Sequence, residues 1–287
     1  MTEVRPLHNF PGNPHAFPYT DLFIYYLKGL AKTDGHNFGH AFIGAWLEDG
    51  FSFLFFSETS FPRIEQFIST RPGLTLVDEY QMSYAEWQGG LLGPGYFGSF
   101  FITPPWSAPA ETLATEKRPI ILDPGVVFGS GSHPTTLSCL EALEFAFGFD
   151  AFASALDLGT GTGLLALAAA RLGCRKILAV DLNLLAVKTA RNNIRRNRLE
   201  NKIMAIQGLA QDFVNVKADL IIANVHYQVM KGLLASGDFL SKKGFILSGL
   251  LRSQARDIQA ELSHKPVRII KKWEPDGIWY TFFGKMT

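Results

Sequence analysis

The run Ala155-Leu156-Asp157-Leu158 leads directly into Gly159-Thr160-Gly161-Thr162-Gly163, and the chain continues as the apolar stretch Leu164 to Leu172, closed by Gly173. A short apolar strand, a glycine turn and a helix in that order leave few folds open. The glycines allow a tight turn, bring the backbone close to a ligand and aim it at a helix N-terminus. About twenty residues later Ala179-Val180 ends in Asp181, placed to accept hydrogen bonds from ribose hydroxyls. Together these residues predict an adenosine-binding α/β unit.

The rest of the C-terminal half follows the same alternation. Strands are expected at Ala153 to Leu158, Ile177 to Val180, Ile203 to Ile206, Leu220 to Ala223 and Phe245 to Leu247, with helices at Ala186 to Asn197 and Ser253 to Leu262. Repeated strand–helix units form a doubly wound, mostly parallel sheet with helices on both faces, and ligands bind at the carboxyl ends of its strands. Val267 to Trp273 and Ile278 to Phe283 flank Asp276-Gly277, the sign of a terminal antiparallel hairpin.

The glycines alone leave the ligand open. Read from Gly161, the sixth position is Ala166, which still suits a dinucleotide loop. Asp157 shifts the balance. It interrupts an apolar strand two residues before the first glycine, where a methyltransferase uses an acid to hold the loop near the cationic end of its cofactor. The alternative is an acid that only caps the loop. A second signature, Asp123-Pro124-Gly125-Val126-Val127-Phe128-Gly129-Ser130-Gly131-Ser132-His133-Pro134-Thr135-Thr136, opens a helix expected from Leu137 to Phe147. Glycines and hydroxyls before a helix N-terminus form a donor-rich site for an anion. A dehydrogenase has no use for such a segment ahead of its first strand.

DPGVVFGSGSHPTT, LDLGTGTGLLALAAARLG, AVDLNLLAVKTARNNIRRN, IIANVHYQVM and LSGLLRSQARDI occur in this order. The series, from about Trp87 to the C-terminus, resembles the PrmA family of ribosomal protein L11 methyltransferases, class I enzymes that use S-adenosylmethionine. The resemblance implies a class I methyltransferase fold with a small N-terminal α+β domain. It implies cofactor contacts at Thr136, Gly159, Gly161, Asp181 and Asn224, to which the strand reading adds Asp157. It also implies methylation of a ribosomal protein on lysine and N-terminal amines. Ser130 and Ser132 stand where the family carries threonines, and Asn224-Val225-His226-Tyr227 departs from its usual segment after the Asn.

The N-terminal third carries no motif of that family. Residues 1–115 hold 5 Lys and Arg against 11 Asp and Glu, whereas residues 116–287 hold 22 against 15. Such a change of sign marks a domain boundary. The expected division is an N-terminal α+β substrate-recognition domain over 1–86, a linker over 87–120 and a cofactor-binding catalytic domain over 121–287. In the first, Leu22 to Leu30, Phe42 to Phe56 around Asp49-Gly50, and Leu74 to Tyr80 read as strands, and Ser60 to Ser69 as a helix. Its acidic balance suits a basic protein partner.

Cys139 and Cys174 have no metal-ligand spacing, so neither a metal site nor a disulfide framework is expected. Residues Met1 to Pro18 lack the apolar core of a leader, and Trp87 to Ala110 is broken by prolines and glycines. A cytoplasmic protein without a membrane span is the expectation. Lys188, Arg191, Arg195, Arg198 and Lys202 recur as one stripe, read as a solvated helix face rather than a nucleic-acid site.

Asn224 is the candidate orienting group for an acceptor amine. His133, His226 and Tyr227 are candidates for the acceptor pocket or for packing. Phe128 and Trp106 are cation–π candidates, and Asp212 an adenine contact or a solvated loop acid. The competing readings are a protein-lysine methyltransferase with another target, a noncatalytic S-adenosylmethionine-binding interaction protein and, more distantly, an NAD-linked oxidoreductase.

Overall fold

A computed structural model describes residues 5–6, 17–33, 37–89, 93–107 and 117–287. Most of the stretch read for a leader, and residues 90–92 and 108–116 of the expected linker, lie outside the described residues. The chain divides into two compact units, one of residues 1–8, 94–182 and 186–287, the other of residues 9–93 and 183–185.

The smaller unit carries an antiparallel sheet of β2 (Asp21–Lys28), β3 (Phe42–Glu48), β4 (Phe51–Phe56) and β5 (Thr75–Ser83), in the order β3-β4-β2-β5. Asp49 and Gly50, at φ 49° and 82°, make the turn between β3 and β4. Two positive φ values in succession match the twist of a two-residue hairpin, the geometry that Asp-Gly supplies. Helix α1 (Phe61–Ser69) buries Ile64 and Phe67 among Tyr25, Leu27, Phe38, Leu54 and Phe56. Across the sheet Trp46, Phe53, Tyr26 and Asp78 stand opposite one another in register, with the Tyr26 ring stacked on Phe53 at 4.7 Å. Helix α2 (Tyr84–Trp87) closes this unit, capped by the reciprocal bonds of Ser83 and Glu86.

The larger unit opens with β1 (Arg5–Pro6), β6 (Gly95–Phe97), β7 (Phe100–Thr103) and β8 (Pro119–Ile121), which form a four-stranded sheet in the order β1-β6-β7-β8. Two of these short strands, β6 and β7, lie within the stretch that the sequence reading gives to a linker, and β8 crosses its end. Helix α3 (Pro134–Phe149) follows. It begins three residues earlier than its apolar periodicity suggests, because His133 caps it and Pro134 starts it.

The main sheet then builds from β9 (Ser154–Leu158), helix α4 (Leu164–Arg171), β10 (Lys176–Asp181), helix α5 (Leu184–Arg196) and β11 (Ile203–Gln207). The chain returns through β12 (Leu220–Asn224), helix α6 (Tyr227–Ala235), β13 (Gly244–Leu251), helix α7 (Arg252–Ser263), β14 (Val267–Trp273) and β15 (Trp279–Met286). The order is β11-β10-β9-β12-β13-β15-β14. The first five strands run parallel, and β15 lies antiparallel between β13 and β14. This is the expected doubly wound sheet with its antiparallel hairpin. The order reverses at β9, so a crevice opens between the carboxyl ends of β9 and β12. Two buried apolar layers cover its faces, one built on α3 and α4, the other on α6 and α7. No helix among the described residues is long and apolar enough to cross a membrane.

Both cysteines are buried and free, Cys139 on α3 and Cys174 after α4. Burial pushes their thiols up to about 12 and about 11. Neither carries appreciable thiolate near neutral pH, so both act as small core residues.

Candidate functional site

Strand β9 is hydrogen-bonded on both sides, and its apolar residues are buried. At its end the chain must reverse into α4 without a side chain in the way. Gly161 shows why glycine is required there. Its φ is +54°, and a Cβ would lie 2.4 Å from the Phe128 carbonyl oxygen. That close approach joins the two signature loops. Thr162 donates its N–H to Phe128 O at 3.2 Å and its hydroxyl to Gly129 O at 2.7 Å. The Asp123–His133 segment and the glycine turn, separate in sequence, form one wall.

Asp157 is 1 % exposed. Its Oδ2 accepts from the Thr160 hydroxyl at 2.5 Å and from the Ala166 N–H at 3.1 Å, tying the turn to the first residues of α4. Its Oδ1 has no hydrogen-bond partner. Burial, with a smaller contribution from the nearby Asp181 charge, pushes its pKa up to about 7, against the opposing bonds from Thr160 and Ala166. Asp181 ends β10 and accepts from Gly161 N–H at 3.0 Å through Oδ2. The acid expected to meet a ribose thus also braces the glycine turn.

Thr136 sits at the N-terminus of α3, 2 % exposed, with an Oγ1 that has no partner. A buried hydroxyl left unpaired costs about 1–3 kcal/mol, which a ligand atom recovers. Asn224 ends β12 and donates from Nδ2 to Thr135 Oγ1 at 3.2 Å. Beside it Gly249, at φ +87°, lies where the β13–β15 register slips. A Cβ there would stand 2.6 Å from Val225 O and 3.2 Å from Asn224 Oδ1, so two acceptor oxygens face the bare side of Gly249. The fold therefore brings Thr136, Asp157, Gly159, Gly161, Asp181 and Asn224 to one end of the sheet, around the crevice.

The other candidates divide. His133 is half-buried, its ring edge-on between Phe128 at 5.2 Å and Trp279 at 5.1 Å. Phe128 is 51 % exposed. The Tyr227 hydroxyl donates to Asp257 on α7. His226 is exposed at the head of α6, Asp212 is exposed in a short turn after β11, and Trp106 lies in a turn at Pro105–Ser107. In the stripe, Lys188, Arg191, Arg195 and Arg198 are exposed. Arg191 donates Nε–H to Ala205 O at 2.9 Å, blunting the edge of the sheet. Arg191, Arg195 and Met204 line a cavity of about 400 Å³ there.

Three contributors escape the motif reading. Asn193, 0 % exposed on α5, donates to Asp123 O at 2.8 Å and Thr162 O at 2.9 Å and accepts from Asp123 N–H at 2.8 Å. It staples both signature loops to one helix. Asn197, one turn on, does the same for Ile121. Trp279 supplies a wall from the far end of the chain. An Asn pair at i, i+4 on the apolar side of a helix was the available signal for the first two; Trp279 offered none.

Residues 81–287 match the model of the family "Ribosomal protein L11 methyltransferase (PrmA)". The chain is 36 % identical over 185 residues to a ribosomal protein L11 methyltransferase of Desulforamulus reducens, covering 63 % of this chain and 58 % of that protein. It is 37 % identical over 164 residues to that of Halalkalibacterium halodurans, covering 56 % and 51 %. The match thus spans little more than half the length of these relatives. A crystal structure of a ribosomal protein L11 methylase from Lactobacillus delbrueckii subsp. bulgaricus superposes with a TM-score of 0.54 at 26 % identity, covering 66 % of this chain and 94 % of that one. With most of its length matched by the family model, the chain belongs to the ribosomal protein L11 methyltransferase (PrmA) family.

Proposed function

We propose that this protein transfers methyl groups from S-adenosylmethionine to amines of a ribosomal protein, by family membership L11. The observation that carries the reading is the junction of the upstream loop with the glycine turn, between Asp181 and the unpaired Thr136 hydroxyl. The residues present fit the cofactor. Asp181 suits the ribose hydroxyls, Gly159 and Gly161 admit the nucleoside, and Thr136 Oγ1 and the α3 N-terminus suit the carboxylate of the methionine end. When bound, the cofactor supplies a methyl group on a sulfonium, open to in-line displacement.

This chain's own residues position the acceptor and exclude water. A lysine acceptor must first lose a proton, at a cost of about 4–5 kcal/mol at pH 7 for a pKa near ~10.4. A dry pocket lowers that cost by disfavouring the ammonium. Phe128, Trp279 and neutral His133 give such a wall. Asn224 Oδ1 and Val225 O, beside Gly249, accept hydrogen bonds from the amine and turn its lone pair to the methyl group. No carboxylate is needed as base, and buried Asp157 is engaged with Thr160 and Ala166. The N-terminal unit presents the protein partner. Its acidic balance and its row of Trp46, Phe53, Tyr26 and Asp78 suit lysine and arginine side chains. The proposed location is the cytoplasm.

The test is a thermal shift with S-adenosylmethionine, S-adenosylhomocysteine and NAD, on wild type and Asp181→Ala, followed by radiolabelled transfer to purified L11. A ligand at ~100 times its dissociation constant stabilises by about 2.7 kcal/mol. Stabilisation by the two methionine-derived ligands, lost in Asp181→Ala, together with labelled L11, is expected. A shift with NAD alone rejects the reading. Cofactor binding without transfer to any ribosomal protein favours a noncatalytic interaction protein.

A further inference from the structure

Asn224 is one end of a relay. Its Nδ2 donates to Thr135 Oγ1 at 3.2 Å, and Thr135 Oγ1 lies 2.7 Å from His133 Nδ1. A third contact fixes the direction of the middle bond. The backbone N–H of Thr135 donates to the same Nδ1 at 3.3 Å, so that nitrogen carries a lone pair and no hydrogen. The Thr135 hydroxyl therefore gives its hydrogen to Nδ1 and a lone pair to Asn224. With Nδ2 committed, Asn224 Oδ1 is left for the side where Val225 O and Gly249 lie.

We propose that His133 is a positioning residue: acting through Thr135, its neutral form fixes which end of the Asn224 amide faces the acceptor. The inference rests on the reading of Asn224 as the group that meets the acceptor amine. A proton taken from solvent onto Nδ1 turns that atom into a donor. Thr135 Oγ1 then accepts from it, the hydroxyl hydrogen swings toward Asn224, and the amide rotates to answer with Oδ1. Two N–H groups then face an amine that needs a lone-pair partner.

The surroundings favour the neutral ring. Burial between Phe128 and Trp279 lowers the His133 pKa below the usual histidine range, with no charged neighbour contributing. On the upstream loop Asp123 faces Arg196 at 3.3 Å, and on β9 Asp157 is bonded to Thr160 and Ala166. Glu141 is the first charge along α3, and His226 heads α6. On β15 the Tyr280 hydroxyl donates to Glu274 and Lys285 pairs with Asp150.

Nitrogen-edited NMR of the ligand-free full chain tests the relay without any methyl transfer. The expected result is a neutral His133 with its hydrogen on Nε2, a midpoint below 6.5, and Asn224 side-chain resonances that titrate with the same midpoint. In Thr135→Val, His133 still titrates and the Asn224 resonances no longer follow; Thr135→Ser restores the coupling. A hydrogen on Nδ1 of the neutral ring, or an Asn224 amide indifferent to the titration in wild type, overturns the proposal. Kinetics supply the second arm. With a lysine acceptor the logarithm of the rate rises one unit per pH unit, steepening to about two below the His133 midpoint in wild type and Thr135→Ser but not in Thr135→Val. Thr135→Val lowers kcat about tenfold and leaves the KM for the cofactor unmoved. Coupling in the spectra with a slope of one throughout refutes the positioning role. Coupling with no transfer to any protein counts against the proposed activity and leaves the relay standing.

Discussion

Asp157 offers a direct reading of what the fold does to one buried acid. Its pKa stands at about 7, raised chiefly by burial, well above the ~3.9 of an exposed aspartate. Between those values the native state holds a proton that the unfolded chain has released. The contribution to stability is therefore full below the unfolded value and is lost as pH climbs through 7. For a single such group the loss between pH 5 and pH 8 comes to about 2–3 kcal/mol. Asp157→Asn keeps an acceptor oxygen for the Thr160 hydroxyl and the Ala166 N–H and cannot ionise. Unfolding of the two proteins by denaturant, compared at pH 5, 6, 7 and 8, isolates the term, because other groups cancel in the difference. The variant should gain on the wild type by about 2–3 kcal/mol over that range, about 5–10 °C in melting temperature. A difference that stays constant with pH would mean that Asp157 is ionised throughout and that its two bonds outweigh its burial.

Gly161→Ala should force the two signature loops apart. The left-handed backbone alone costs about 1–2 kcal/mol, and the new Cβ meets the Phe128 carbonyl. Cofactor affinity should fall at least about tenfold by calorimetry, each 1.4 kcal/mol being one factor of ten. Gly173→Ala, at φ +112° with open space around it, pays only a backbone cost and should bind cofactor normally. Asn193→Leu leaves the Asp123 N–H, the Asp123 carbonyl and the Thr162 carbonyl without their partner, and should cost about 3 kcal/mol or more in denaturant unfolding. An unchanged midpoint would show that these groups find other partners.

Much of the proposed cofactor side was legible as structure because its signals are local. Gly159 to Gly163 must turn a strand into a helix, and any chain that does so within five residues needs glycine at left-handed positions. The apolar runs around Asp157 and Asp181 place both acids at strand ends by periodicity alone. Where sequence reading fell short, the cause was equally physical. Helix α3 starts early because a histidine caps it, and histidine is not among the preferred caps. Strands β6, β7 and β8 are three or four residues long in a stretch rich in proline and glycine, so no alternation could reveal them. Which of the two open roles each acceptor-side candidate takes depends on distant partners: Tyr227 bonds to Asp257, and His133 stands between the rings of Phe128 and Trp279.

The sequence by itself determined the doubly wound sheet, the glycine turn and the two acids at its strand ends, since each follows from backbone conformation and burial within one short segment. Tertiary structure decided the rest of the site. Asn193 joins loops from either side of α3, Thr135 meets Asn224 across 89 residues, and Trp279 reaches His133 from the last strand. Such contacts are set by strand order at the switch point, and no local pattern of residues encodes which distant side chain will arrive there.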